Sequence, residues 1–188
     1  MNAHFSSRKT DWATPWELFS VLNISYGSFT LDVCATGENT KCARYFSPEE
    51  NGFAQTWDGV CWMNPPYGRA IGSWLVKAVV EIQKGHADRV VCLLPARTDT
   101  AWWHNIVMPY GIVHFLRGRV RFDGAKHSAP FPSVIVVFDK QSTQDFFLRA
   151  SRSNIAPHDG LQRKSHVRET VDCGVAGQGQ KAPELSRL

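Results

Sequence analysis

Between Trp62 and Ala70 the chain reads WMNPPYGRA. Two consecutive prolines each fix their own φ and donate no backbone hydrogen bond. The Asn64 side chain offers a carbonyl oxygen as an acceptor, and the peptide carbonyl of Pro65 offers a second, aimed by the ring of Pro66. Two acceptors converging on one point suit an NH2 group with two hydrogens to give. Accepting both bonds raises electron density on the nitrogen and positions its lone pair for attack. Tyr67 adds a flat face on which a planar group can stack. The chemistry that fits is modification of a conjugated, weakly nucleophilic amine. Adenine, cytosine, guanine and a glutamine side chain all qualify, and a base in a duplex would have to be flipped out to be reached. A plain structural turn is the competing reading of the same tetrapeptide.

A second candidate lies upstream in TLDVCATG, Thr30 to Gly37. The carboxylate of Asp32 can pair with an ammonium group, while Ala35 and Gly37 let a backbone approach a ligand closely. Arg117, Arg119 and Arg121 alternate in RGRVRF, which puts them on one face of a strand. Such a stripe can follow phosphates, or simply be solvated. Arg69 follows the tyrosine turn, and Arg97 follows another strand end. Trp102 and Trp103 can stack on bases or pack in the core. The histidines show no metal-ligand spacing, no metal is expected, and no nucleophile elbow is present.

These residues need a scaffold. The N-terminal residues 1–11 are polar and read as flexible. In TPWELF, Thr14 suits a helix N-cap, Pro15 the first helical position and Glu17 a capping box, with a helix through about Leu22. Phe29 to Val33 reads as a strand, and GVCWM as a second that runs into the proline turn. Ile71, Trp74, Leu75, Ala78, Val79 and Ile82 recur at helical spacing. RVVCLL is continuously apolar, as a strand buried on both faces should be. DTAWWHNIV reads as a helix, and GIVHFL, RVRF and SVIVVF as strands. Alternating strands and helices predict an α/β sheet, antiparallel in part because the later strands lack helices between them. Residues 12–140 form the expected domain. Residues 141–188 read as a polar tail with little to bury and a short helix near Phe146 to Ala150.

The 188 residues fit one domain, and 43% hydrophobic content gives it a real core. A net charge of +4 permits an anionic partner without demanding one. Cys34, Cys42, Cys61, Cys92 and Cys173 form no CxxC pair, which predicts reduced thiols in a reducing compartment. The N-terminus shows no apolar leader segment, and no run is long enough to span a bilayer. A cytoplasmic protein is therefore expected, with no membrane partner.

Taken together, WATPWELF, FTLDVCA, ARYFSPEENGFAQTWDGVCWMNPPYGR, VCLLPARTDTAWWHN and FLRGRVRF make the chain resemble the phage-type DNA N-6-adenine methyltransferases, the compact Dam family. The resemblance implies a class I, Rossmann-like methyltransferase sheet with flanking helices and no large target-recognition domain. It implies S-adenosylmethionine as the donor, double-stranded DNA as the partner and direct transfer to the adenine N6 amino group. On that pattern Asn64 and the Pro65 carbonyl hold the amine, and Tyr67 stacks on the flipped base. Asp32 would hold the amino end of the methionine moiety, and Thr14, Pro15 and Ala35 would line the same pocket. DVCATG lacks the fuller D-x-F-x-G-x-G pattern, which makes Gly37 the weakest of these assignments, and only Glu49 and Glu50 stand as candidates for an acidic ribose ligand. Arg69, Arg117, Arg119 and Arg121 are the expected DNA contacts. Two other readings differ in class: a related methyltransferase acting on a protein glutamine or an RNA base, and an inactive DNA-binding scaffold.

Overall fold

The computed structural model describes residues 12–144 and the backbone of Val171–Asp172. Among these residues the strands are β1 (Leu31–Asp32), β2 (Gly59–Met63), β3 (Ala87–Pro95), β4 (Ile112–Arg117), β5 (Ser133–Asp139) and β6 (Val171–Asp172). They form one sheet in the order β1-β2-β3-β5-β4-β6. β1, β2 and β3 are parallel, with Asp32 beside Trp62 and Met63 beside Cys92. β5 runs antiparallel to both β3 and β4, so β4 points the same way as the first three strands. This is the mixed sheet that the missing helices between the later strands predicted. β6 extends the edge beyond β4.

The centre of the sheet is its most apolar part. Val90 to Leu94 of β3 and Val134 to Phe138 of β5 are all buried, as continuous apolar runs require. The flanking helices are α1 (Trp16–Tyr26) and α2 (Ile71–Gln83). α2 joins β2 to β3 and buries the six apolar residues whose spacing predicted it. It also buries Glu81, whose carboxylate accepts from the Trp57 N–H and pairs with Lys77 and His86. α1 packs Phe19 against Phe29 and Trp62. It ends at Gly27, whose φ of 95° is the left-handed cap that glycine tolerates best.

Several expectations change. α1 runs past Leu22 to Tyr26, and its N-cap is Pro15, without a side-chain cap bond. Thr14 therefore does not cap the helix. RVRF is not a strand: Gly118 turns at φ 80°, and residues 119–122 join no ladder. Val120 and Phe122 are still buried between exposed Arg119 and Arg121, so the alternation reflects packing rather than strand pairing. The DTAWWHNIV segment is helical but contains a π-turn, Trp103–Val107, that leads into the short α3 (Met108–Tyr110). Pro109 has no N–H to give to residue 105, and the wider turn accommodates that loss.

Packing extends past residue 140. Asp139 accepts the Ser142 N–H at 2.8 Å, and buried Thr143 donates its hydroxyl to the Asp139 carbonyl. The expected helix near Phe146 to Ala150 lies outside the described residues. Cys42, Cys61 and Cys92 are buried free thiols, and Cys34 is half-buried. No helix among the described residues is long and apolar enough to cross a membrane. Nor does any group of three or more His, Cys, Asp or Glu among them stand close enough to hold a metal ion.

Candidate active site

The carboxyl ends of β1 and β2 meet at one edge of the sheet, where α/β proteins bind ligands. Asp32 ends β1, and Asn64 follows the last residue of β2. Both line a cavity of about 30 Å³, together with Trp12, Ala13, Thr14, Cys34, Asn39, Trp62 and Pro66. That volume is room for about one water molecule.

Asp32 is buried, and its carboxylate accepts the N–H groups of Cys34 at 3.4 Å and Lys41 at 3.2 Å. Burial pushes its pKa up to about 6, against the pull of those two N–H groups and of the Lys41 charge. Among the described residues no side-chain cation forms an ion pair with it. Cys34 stands beside it. Burial first, and the Asp32 charge second, hold that thiol well above its usual range, so it stays protonated.

Asn64 is gripped from one side. Its Nδ2 donates to the Trp12 carbonyl and to the Thr14 hydroxyl oxygen, the latter at 3.1 Å. Its Oδ1 is buried and has no hydrogen-bond partner among the described residues. A buried orphan acceptor is costly, and native structures rarely keep one without a use.

Pro65 is buried and Pro66 exposed. Tyr67 departs from the open stacking face that the sequence suggested. It is 8% exposed, donates its hydroxyl to the Leu93 carbonyl, and sets its ring edge-on to Phe122 and Phe131. Trp12 packs on the same two phenylalanines.

The remaining expected residues divide. Thr14 lines the cavity. Pro15 lines a neighbouring groove with Arg121, Phe122 and Asp123. Ala35 is buried, with its N–H on the Phe46 carbonyl, and Gly37 lies against the Tyr45 hydroxyl; neither lines the cavity. Glu50 closes a turn by accepting the Ser47 N–H, and Glu49 is exposed. Arg69 is exposed and lines a separate groove with Ser73, Trp102 and Asn105. Trp103 is core. Arg97, Arg117, Arg119 and Arg121 are exposed. Arg119 reaches the Ala129 carbonyl at 3.5 Å, and Arg121 the Ala125 carbonyl at 3.2 Å.

Sequence reasoning assigned no part to Trp12, Asn39 or Phe122. It also passed over Lys41, which pairs with Asp123 at 2.9 Å and lies 4.3 Å from the Trp16 ring centroid. The one available signal was the tryptophan just ahead of the Thr-Pro pair.

The fold and the site define a class: an α/β protein whose pocket joins an acidic strand end to an Asn-Pro-Pro-Tyr turn. Comparison with known proteins sharpens that. The profile of the DNA N-6-adenine-methyltransferase (Dam) family matches residues 3–162. A DNA N-6-adenine-methyltransferase of Haemophilus phage HP1 (strain HP1c1) is 33% identical over 123 residues, which cover 62% of this chain and 70% of the phage protein. One of Escherichia phage T1 is 37% identical over 94 residues, or 49% of this chain and 38% of the phage protein. The match thus spans well under half the length of the phage T1 relative. The chain belongs to the DNA N-6-adenine-methyltransferase (Dam) family.

Proposed function

We propose that this protein is an enzyme that transfers a methyl group from S-adenosylmethionine to the N6 amino group of adenine in double-stranded DNA. The single observation that carries the reading is the buried, unpartnered Oδ1 of Asn64, one strand away from the buried carboxylate of Asp32. The parallel β1-β2-β3 set, with its site at the carboxyl edge, supports a class I, Rossmann-like methyltransferase sheet. Family membership and the names of the phage relatives point to adenine in DNA rather than to glutamine or RNA.

The donor set fits S-adenosylmethionine. Among the described residues Asp32 is a buried anion held by backbone N–H groups and a more distant charge, so an ammonium group is the counter-ion that suits it. Asn39 supplies polar atoms on the same wall, which Thr14 also lines while its hydroxyl oxygen accepts from Asn64. Residues 12–14 form one wall of the cavity, held there by the Asn64 amide.

When bound, the donor supplies a methyl group on a positively charged sulfur, electrophilic enough for a poor nucleophile. The residues do the rest. Asn64 Oδ1 accepts one N–H of the target amine, and the Pro65 carbonyl accepts the other. Both bonds strengthen as positive charge develops on the nitrogen, so they favour the transition state over the ground state. As the N–C bond forms the S–C bond would break, its electron pair staying on a neutral sulfur, and the methylated nitrogen would lose one proton to solvent. The aromatic group of Tyr67, Phe122 and Phe131 supplies the apolar wall for an extruded base. Exposed Arg69, Arg117, Arg119 and Arg121 supply positive charge for phosphates.

The test is a transfer assay with methyl-labelled donor. Adenine-containing duplex, the same duplex with adenine replaced, RNA and glutamine-bearing protein are offered in turn. Label on N6-methyladenine of the first substrate alone is the expected result. Label on RNA or protein, or on no substrate at all, would overturn the reading.

A further inference from the structure

The two ends of an asparagine amide differ in what they can do: the nitrogen donates and the oxygen accepts. Asn64 Nδ2 donates to the Trp12 carbonyl and to Thr14 Oγ1, both on the N-terminal segment. A main-chain carbonyl has no proton, so it only accepts. Turning the amide over would press Oδ1 against that carbonyl, two acceptors face to face in a buried place. The contact with residues 12–14 therefore decides which end of Asn64 is left without a partner, and it leaves the oxygen.

Thr14 is built for this contact. It is 2% exposed, and stiff Pro15 follows it. Its neighbours are fastened: the Ala13 carbonyl accepts the Asp123 N–H at 2.9 Å, and the Trp12 ring packs on Phe122 and Phe131. The obvious structural task for a threonine ahead of a helix is to cap it, yet α1 has no side-chain cap bond. The hydroxyl serves Asn64 instead.

We infer that Thr14 is a positioning residue: with the Trp12 carbonyl it locks the Asn64 amide with its oxygen turned to the amine to be methylated. This rests on the proposed reading, in which Asn64 Oδ1 accepts from that amine. Thr14 acts through Asn64 and does not touch the reacting atoms.

The experiment compares wild type, Thr14→Val and Thr14→Ser in single-turnover methylation of an adenine-containing duplex. Donor and DNA affinities and the thermal midpoint are measured on the same proteins. Valine keeps the shape and removes the hydroxyl, so the transfer step is expected to slow roughly 10- to 100-fold, the scale of a misplaced reacting group. Donor Kd, DNA Kd and melting should stay near wild type, and serine should restore the rate. In an Asn64→Ala background, Thr14→Val should cause no further slowing. Wild-type rate in Thr14→Val, failure of serine to rescue, or a rate loss matched by an equal loss of donor affinity would each overturn the inference. If Thr14→Val does not fold, Thr14→Ala takes its place in the same comparison. A wild-type protein that methylates no adenine removes the functional reading, and this inference with it. A wild type that methylates beside an equally fast Thr14→Val removes the inference alone.

Discussion

The Tyr67 hydroxyl donates to the Leu93 carbonyl of β3 at 3.2 Å, which ties the Asn-Pro-Pro turn to the neighbouring strand. Tyr67 is thus an anchor in the core as well as part of the aromatic wall. Tyr67→Phe should cost about 1 kcal/mol of stability, the net worth of one hydrogen bond, and keep most activity. Tyr67→Ala should cost about 3–5 kcal/mol through the cavity it leaves. It should also be severely impaired, because the turn that carries Asn64 loses its anchor to β3. Urea titration and single-turnover methylation check both. An alanine variant as stable and as active as the phenylalanine variant would refute the anchor.

If Asp32 holds the ammonium group of the donor as proposed, donor binding should depend on pH. Its carboxyl titrates near pH 6 because burial disfavours the charge. An ammonium group binds the ionised form, so donor affinity should be flat well above that pH and weaken as pH falls through about 6. The effect on stability has a fixed sign. The folded chain takes up this proton near pH 6, whereas an ordinary aspartate carboxyl does so near 3.8. The resulting stabilisation is fully present below the lower value and is lost as pH rises through the upper one. Asp32→Ala should abolish both the pH step and most of the donor affinity. Calorimetric titration at pH 5 and pH 8 reads the outcome, and equal affinity at both would place the donor elsewhere.

What the sequence made legible was local. The period of α2, the apolar runs of β3 and β5, and the proline turn after β2 each follow from neighbouring residues. So did Asp32 at the end of β1. What stayed hidden depends on contacts between distant segments. Thr14 reads as a helix cap until Asn64, 50 residues on, is brought to its hydroxyl. Tyr67 reads as a stacking face alone until Leu93, Phe122 and Phe131 close around it. RVRF reads as a strand because Val120 and Phe122 are buried at alternate positions. Periodicity reports burial, and it cannot tell whether a ladder partner stands alongside.

Gly52 should resist substitution. A Cβ placed there would lie 2.3 Å from the Val33 carbonyl oxygen and 3.2 Å from the Trp74 ring. The carbonyl belongs to the backbone just after Asp32 and cannot swing aside as a side chain can. Gly52→Ala should destabilise the fold by about 1–3 kcal/mol, as overpacking does. By displacing Val33 it should also weaken donor binding. Thermal melting and a donor titration test the pair of effects. A fully stable alanine variant would mean that the segment at residue 52 is free to yield.

Arg119 should act through the DNA backbone. It is exposed, and its one bond among the described contacts, to the Ala129 carbonyl at 3.5 Å, is long. If it neutralises one phosphate, Arg119→Ala should weaken DNA binding about equally across sequences. The slope of log K against log salt should drop by about one. Donor affinity should not change. An unaltered salt slope would return Arg119 to the ordinary solvated surface.

Asn64 carries the sharpest prediction. Its Oδ1 is the buried acceptor without a partner, and its Nδ2 is already committed to Trp12 and Thr14. Asn64→Ala removes the acceptor and abandons both groups on the N-terminal segment. On the proposed reading the acceptor counts most when positive charge has grown on the attacking nitrogen. The loss should therefore fall on turnover, on the order of 100-fold or more, with DNA affinity nearly unchanged. Asn64→Asp is the more telling variant. It keeps an acceptor toward the amine but presents a carboxylate oxygen to the Trp12 carbonyl, which has no proton to give. It should recover little activity near neutral pH. Acidification should restore part of it, since a protonated carboxyl can donate to that carbonyl. Single-turnover rates of both variants across a pH series decide the matter. A fully active Asn64→Ala enzyme would reduce the Asn-Pro-Pro-Tyr stretch to a turn.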